Sequence, residues 1–337
     1  MKRIAKHICL SLFGMGLVIG QAHAEANQVR IASTFGLAQL PGRIAYEMKF
    51  IETRAKEAGL TITVTYQNVA SGIAVSELLL SGNADIGVGG NVPVFNLWDK
   101  TSGQQKVRGV MAFSQANMFL LTVDPRIQSI KDYGDKDRIA MTDVKGTTYS
   151  MLLQMFAARE WGWDQRTKLD TLAVGMSNND AMTSLVKGST EVKNHMTILP
   201  HSTMELASGK ARIILTSKDL LGTAYTTVAA FTTEKFRRDN PKLYDVVVAG
   251  FLDAINYINT NTEAAADIYM KKEPFIGTPE DLVKMMKGQT ADELKYTPVP
   301  NSTKAFMDFM AKSGTLRKSP DDWKDVWFEN VWTMPGG

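Results

Sequence analysis

The chain has 337 residues, 38 Lys plus Arg against 35 Asp plus Glu, a formal net charge of +3 and one cysteine. So small a basic excess excludes a phosphate-binding nucleic-acid surface, and one cysteine excludes a disulfide framework or a thiolate metal site. A chain this long can bury a core of its own and is expected to do so as two lobes.

The first 24 residues read as a secretory signal peptide. Lys2, Arg3 and Lys6 form a positive start, residues 8–20 are apolar but too short to span a bilayer, and Ala22-His23-Ala24 is a small-x-small cleavage site. The segment holds three of the 38 basic residues, none of the 35 acidic ones and the only cysteine, Cys9, so residues 25–337 are charge-balanced and cysteine-free. No later stretch is as long and apolar as the roughly 18 residues a membrane span needs.

In chain order, residues 29–33 form a short apolar strand, and the loop from Phe35 to Gly42 leads into an amphipathic helix reaching about Ala58. Residues 61–66 alternate β-branched side chains and read as a second strand. Ser71-Gly72 opens a helix to Leu80, and residues 85–88 are a third strand. Strand and helix alternating at this spacing predict a parallel sheet covered by helices.

The same order restarts after Asp124-Pro125 and the charged run 131–138, with strands at 139–141 and 172–174 and helices at 149–161 and 180–187. The segment ELLLSGNADIGVGGN, beginning at Glu77, then has a counterpart in SLVKGSTEVKNHM, beginning at Ser184: aligning Gly188 with Gly82 places Glu191 on Asp85 and His195 on Gly89. The repeat predicts two similar α/β lobes, with a ligand site between them at the carboxyl ends of the strands. Further on, residues 211–216 form a strand and residues 222–231 a strand crossing back to the first lobe. The remainder is helical, at 241–259, 262–271, 279–287, 303–313 and 321–330; Tyr244, Val247, Phe251, Ile255 and Ile258 share one stripe.

Taken in order, QVRIAST, SELLLSGNADIGVGGNVPV, DRIAMTDVKGTTYSMLLQMFAAREWG and TEKFRRDNPKLYDVVVAGFLDAINYINTNTEAAADIY resemble the periplasmic substrate-binding components of ABC importers, in the nitrate, sulfonate, taurine and thiamine-pyrimidine subgroup. The resemblance implies a type II periplasmic binding protein fold: two α/β lobes joined by two crossing strands, with a ligand cleft between them. Lobe 1 would comprise residues 25–114 and 222–337, and lobe 2 residues 115–221. In that fold Gly87, Gly89 and Gly90 would lie at a strand end on the cleft wall, where a Cβ would crowd the ligand.

Candidate ligand contacts come from loops at strand ends. In the first lobe these are Phe35 and Gly36, Ser71 at a helix start, and Gly90 with Asn91; helix-start N–H groups attract an anionic or polar head group. Ser71 and Asn91 are equally helix caps. The second lobe offers Thr147, Thr148 and Tyr149, with Asp180 as a cap. His195 is the candidate at the matching strand end, and His201 is read as structural. Ser114 and Gln115, on the outgoing crossing strand, reach the cleft floor, with Tyr225 a weaker candidate on the return strand. The two histidines lack a third ligand at metal spacing.

The implied function is capture of a small organic solute, sulfonate-like or otherwise polar or anionic, by a monomeric periplasmic protein that delivers it to an inner-membrane ABC permease with its ATPase. A thiamine-pyrimidine-type aromatic solute, or a role as a solute sensor's partner, is the alternative. No metal, cofactor or nucleic acid is expected, and no catalysis: the cysteine-dependent enzymes of this fold have no counterpart here, and no G-x-S-x-G is present.

Overall fold

The computed structural model describes residues 25–188 and 192–337. The expected leader and Glu191 of the repeat lie outside them. Among the described residues eleven strands form two sheets. The first contains β1 (Gln28–Ser33), β2 (Thr63–Asn68), β3 (Ile86–Gly90), β4 (Val107–Ala116), β10 (Tyr225–Thr233) and β11 (Lys295–Tyr296), in the order β11-β4-β10-β3-β1-β2. The second contains β5 (Phe119–Thr122), β6 (Ile139–Met141), β7 (Ala173–Gly175), β8 (Asn194–Thr197) and β9 (Arg212–Thr216), in the order β7-β6-β8-β5-β9.

The repeat read from the sequence is present in the topology. In each sheet a central strand, β1 or β6, is flanked by parallel partners, β2 with β3 or β7 with β8. The third strand of each trio then pairs antiparallel with a strand from another part of the chain, β10 on β3 and β5 on β8. The chain passes from β4 of the first sheet to β5 of the second and returns from β9 to β10. These are the two crossings of a periplasmic binding protein fold with two α/β lobes. Ser114 and Gln115 still belong to β4, which runs on to Ala116.

Helices cover both sheets because their apolar stripes need burial. The expected stripe of the helix Pro241–Thr260 is buried at every position, Tyr244, Val247, Phe251, Ile255 and Ile258. Phe251 meets Phe113 of β4 edge to face, with ring centroids 4.9 Å apart. Two expectations are corrected. The single helix expected from Gly42 to about Ala58 is two helices, Leu40–Glu47 and Phe50–Glu57, separated by Lys49 in the left-handed conformation (φ 54°). The terminal helix at 321–330 is instead two 3₁₀ turns, Trp323–Val326 and Glu329–Val331, because Trp327 turns inward to lie fully buried on β4 at Gly109.

Among the described residues no helix is long and apolar enough to cross a membrane.

Candidate solute-binding cleft

A cavity of about 510 Å³ lies between the lobes, within the size range of small-molecule sites. Helices from both lobes begin on it. Gly72–Leu80 starts after Ser71, whose Oγ accepts from the Ala74 N–H at 3.3 Å. Asn91–Lys100 starts after Gly90, which supplies no side-chain cap. Thr148–Trp161 is capped by Thr147 and Asn178–Lys187 by Ser177. Their leading N–H groups carry the positive ends of the helix dipoles.

Phe35, Gly36, Ser71, Gly90, Thr147, Thr148 and Tyr149 line this cavity. Phe35 is a large apolar side chain left 56% exposed, so a ring face is open to a solute. The other four candidates are placed behind the wall. Asn91 is fully buried, and its Oδ1 accepts from Thr148 Oγ1 at 2.8 Å, which ties the two lobes together at the cavity floor. Ser114 Oγ lies 2.7 Å from Thr227 Oγ1, and it is Thr227 that reaches the cavity. Gln115 donates to the Val299 carbonyl at 2.8 Å, away from the cleft.

His195 needs a larger correction. Its ring is fully buried, with Nδ1 2.6 Å from Glu205 Oε1 and Nε2 3.2 Å from Asn178 Oδ1. The reason is register: His195 pairs with Leu121 and Ala140 inside β8, which continues to Thr197, so the loop that reaches the cleft is 198–201. His201, read as structural, is the histidine that lines the cavity. Its Nε2 lies 2.9 Å from Asn179 Oδ1, its Nδ1 has no protein partner, and burial, with His195 nearby, lowers its pKa to about 4. The imidazole is therefore neutral at neutral pH. Tyr225, the weaker candidate, also lines the cavity.

One of the three glycines is bare for a reason other than ligand approach. A Cβ on Gly87 would meet the Phe231 ring at 2.4 Å, whereas one on Gly89 would make only ordinary contact with it at 3.8 Å, and of the three only Gly90 borders the cavity.

Sequence reasoning missed Asp143, Asn178, Asn179, Tyr269 and Glu273 on the wall. Glu273 follows the helix Thr262–Lys272, far from the rest of the site in sequence, and its carboxylate accepts from the Gly36 N–H at 2.7 Å. Burial raises its pKa, partly offset by that bond and by Arg43. Only helix-start polar residues such as Asn178 carried a local signal; Glu273 carried none. Among the described residues no lysine or arginine lines the cavity, and no group of three metal-ligating side chains occurs.

The sequence pattern of the family described as NMT1/THI5 like matches residues 56–265. No curated protein matches the chain by sequence. Among solved structures, the periplasmic nitrate-binding protein of Synechocystis PCC 6803 aligns with TM-score 0.70 and 16% identity over 91% of this chain and 88% of that one. The periplasmic aliphatic sulphonate binding protein of Escherichia coli aligns with TM-score 0.66 and 16% identity over 90% and 93%. The alkanesulfonate-binding protein of Xanthomonas axonopodis pv. citri, bound to MOPS, gives 0.64 and 16% over 90% and 99%. At these identities the likeness is one of fold.

Proposed function

This chain belongs to the NMT1/THI5-like family, and from that premise we propose that it is a non-catalytic periplasmic solute-binding protein serving an ABC importer. The observation that carries the reading is the cavity between two sheets, with helix starts from both lobes converging on it. In this reading lobe 1 comprises residues 25–114 and 222–337 and lobe 2 residues 115–221, with the chain crossing between them from β4 to β5 and from β9 to β10. Hinge motion at these two crossings closes the lobes over a solute, and the closed form docks on a permease.

The wall narrows the solute class. It holds the carboxylates of Asp143 and Glu273 and no fixed cation, so a multiply charged inorganic anion would be repelled. A small organic solute with a single, singly charged acceptor head, sulfonate-like, fits helix starts that provide N–H donors without full positive charge. Phe35, exposed and lining the same cavity as Tyr149 and Tyr269, favours a second reading, an aromatic solute of the thiamine-pyrimidine type.

Isothermal titration against ethanesulfonate, taurine, nitrate and a thiamine pyrimidine tests both. One of these is expected to bind with a micromolar Kd, about −8 kcal/mol. Folded protein that binds no member of the panel overturns the proposal.

A further inference from the structure

One loop of the cavity wall is held from outside the cleft. Ile198, Leu199, Pro200 and His201 line the cavity, and Ser202 and Thr203 follow them in the first turn of the helix His201–Ala207. Both hydroxyls donate to one carboxylate, Ser202 Oγ to Oδ1 and Thr203 Oγ1 to Oδ2 of Asp292. Asp292 is fully buried, and what holds it there is hydroxyl donors rather than a cation. Taking a carboxylate out of water is costly, and a buried polar contact with both oxygens satisfied fixes one arrangement of its partners.

By chain order Asp292 belongs with the first sheet. The helix Pro279–Met286 before it packs on the helix Thr262–Lys272, and β11 after it pairs with β4. The turn between them nevertheless lies against both crossings. At the first, Asn117 donates its backbone N–H to the Asp292 carbonyl at 2.8 Å and its Nδ2 to the Ala291 carbonyl at 3.4 Å. At the second, Glu293 Oε1 accepts from Lys218 Nζ at 2.6 Å, on the helix Ser217–Leu221 that ends shortly before β10. That ion pair is half-exposed and adds little; the buried bonds of Asp292 are the anchor.

The turn has a left-handed residue toward each end. Gly288 has a φ of 67°, and a Cβ there would stand 2.7 Å from the Leu294 carbonyl oxygen; Glu293 has a φ of 50° although it carries a Cβ. A side-chain-bearing residue keeps that conformation where its surroundings hold it, and such residues gather at ligand clamps and switching segments. Residues 288–294 therefore start and finish on the first lobe while their centre is bonded to the second.

We propose that residues 288–294 are a third connection of the hinge, and that Asp292 is a positioning residue that fixes the 198–201 wall of the cavity, and with it the solute affinity, without touching the solute. That role rests on the cleft being the solute site. The Thr148–Asn91 bond joins the lobes at the cavity floor, and Asp292 joins them beside the crossings. Releasing Asp292 lets the wall loop and its helix take further positions. Only a fraction of these accept the solute, and the apparent affinity falls by that fraction.

Spin labels on Glu77→Cys and Lys187→Cys, exposed positions on a helix of each lobe in a stretch otherwise without cysteine, report lobe separation by double electron–electron resonance with no solute present. Asp292→Ala is expected to broaden the distance distribution. In unlabelled protein it should also weaken, by about tenfold or more, the binding of whichever of ethanesulfonate, taurine, nitrate and a thiamine pyrimidine the unaltered protein takes. Asp292→Asn, whose amide accepts from one hydroxyl and donates to the other, should restore both readouts. Thr203→Val removes one bond of the two and should change both in the same direction to a smaller extent; it is the variant to read where Asp292→Ala does not fold. A lowered melting temperature with distances and affinity as in the unaltered protein overturns the proposal. If no member of the panel binds the unaltered protein, the solute reading fails and the label distances alone decide the hinge role: a broadened distribution sustains it and an unchanged one overturns it.

Discussion

The substitutions Gly87→Ala and Gly90→Ala separate a glycine that shapes the core from one that borders the solute. Both glycines lie in β3, three residues apart. At Gly87 an added Cβ would stand 2.4 Å from Phe231 Cε2 and 2.5 Å from Cζ, more than 1 Å inside ordinary contact, against a ring that is itself fully buried. Relief requires moving that ring within a packed core, an overpacking cost of about 1–3 kcal/mol. At roughly 2–4 °C per kcal/mol for domains somewhat smaller than this chain, the melting temperature should fall by several degrees. At Gly90 the nearest atoms to a Cβ are Thr148 Oγ1 at 3.5 Å and Pro93 Cδ at 3.7 Å, and the backbone φ of −60° suits any residue. Alanine there should leave stability within about 0.5 kcal/mol or raise it slightly. Its methyl stands where the two lobes meet over the cavity, so affinity for the solute identified by titration should fall about tenfold, or 1.4 kcal/mol. Differential scanning calorimetry and isothermal titration on both variants provide the readouts. The reasoning fails if Gly87→Ala melts with the unaltered protein, or if Gly90→Ala binds as tightly as it.

Three further outcomes follow from the cleft. Thr148→Val removes the 2.8 Å bond to Asn91, whose Nδ2 is already without a partner, and so strands a buried carboxamide; urea unfolding should show a loss of about 1–3 kcal/mol at unchanged slope, and a loss below about 0.5 would refute it. His201 is neutral in the fold with its pKa lowered to about 4, so the folded state takes up its proton later than the unfolded state does. Stability from this group is present above the unfolded value of about 6.5 and is lost as pH falls toward 4; His201→Gln should flatten that limb of the pH–stability curve. Glu273 has the opposite sign: with its pKa raised by burial the folded state releases this proton later than the unfolded state does, so its contribution is full below the unfolded value of about 4.3 and declines as pH rises through the raised value. Glu273→Gln keeps an acceptor for the Gly36 N–H, and its stability relative to the unaltered protein should increase over that same window; a pH-independent difference would count against it.

What the sequence determined by itself is what short-range pattern controls. Apolar alternation placed the strands, cap residues placed the helix starts at Ser71 and Thr147, and the recurrence of one strand and helix order disclosed two like lobes; the helix expected from Asp180 instead starts at Asn178, capped by Ser177. Helix starts lie at the carboxyl ends of strands in such folds, so most of the loop candidates fell on the cavity. Tertiary structure decided everything that depends on register or on partners distant in sequence. Because β8 extends to Thr197, His195 lies in the core beside Glu205, and His201 is the histidine that reaches the cleft. Phe231, from the returning strand, accounts for the bare backbone at Gly87, and Glu273 joins Gly36 across 237 residues of chain. A side chain's chemistry is written locally, but whether it meets water, core or ligand is set by which distant surface folds against it, and no local pattern carries that information.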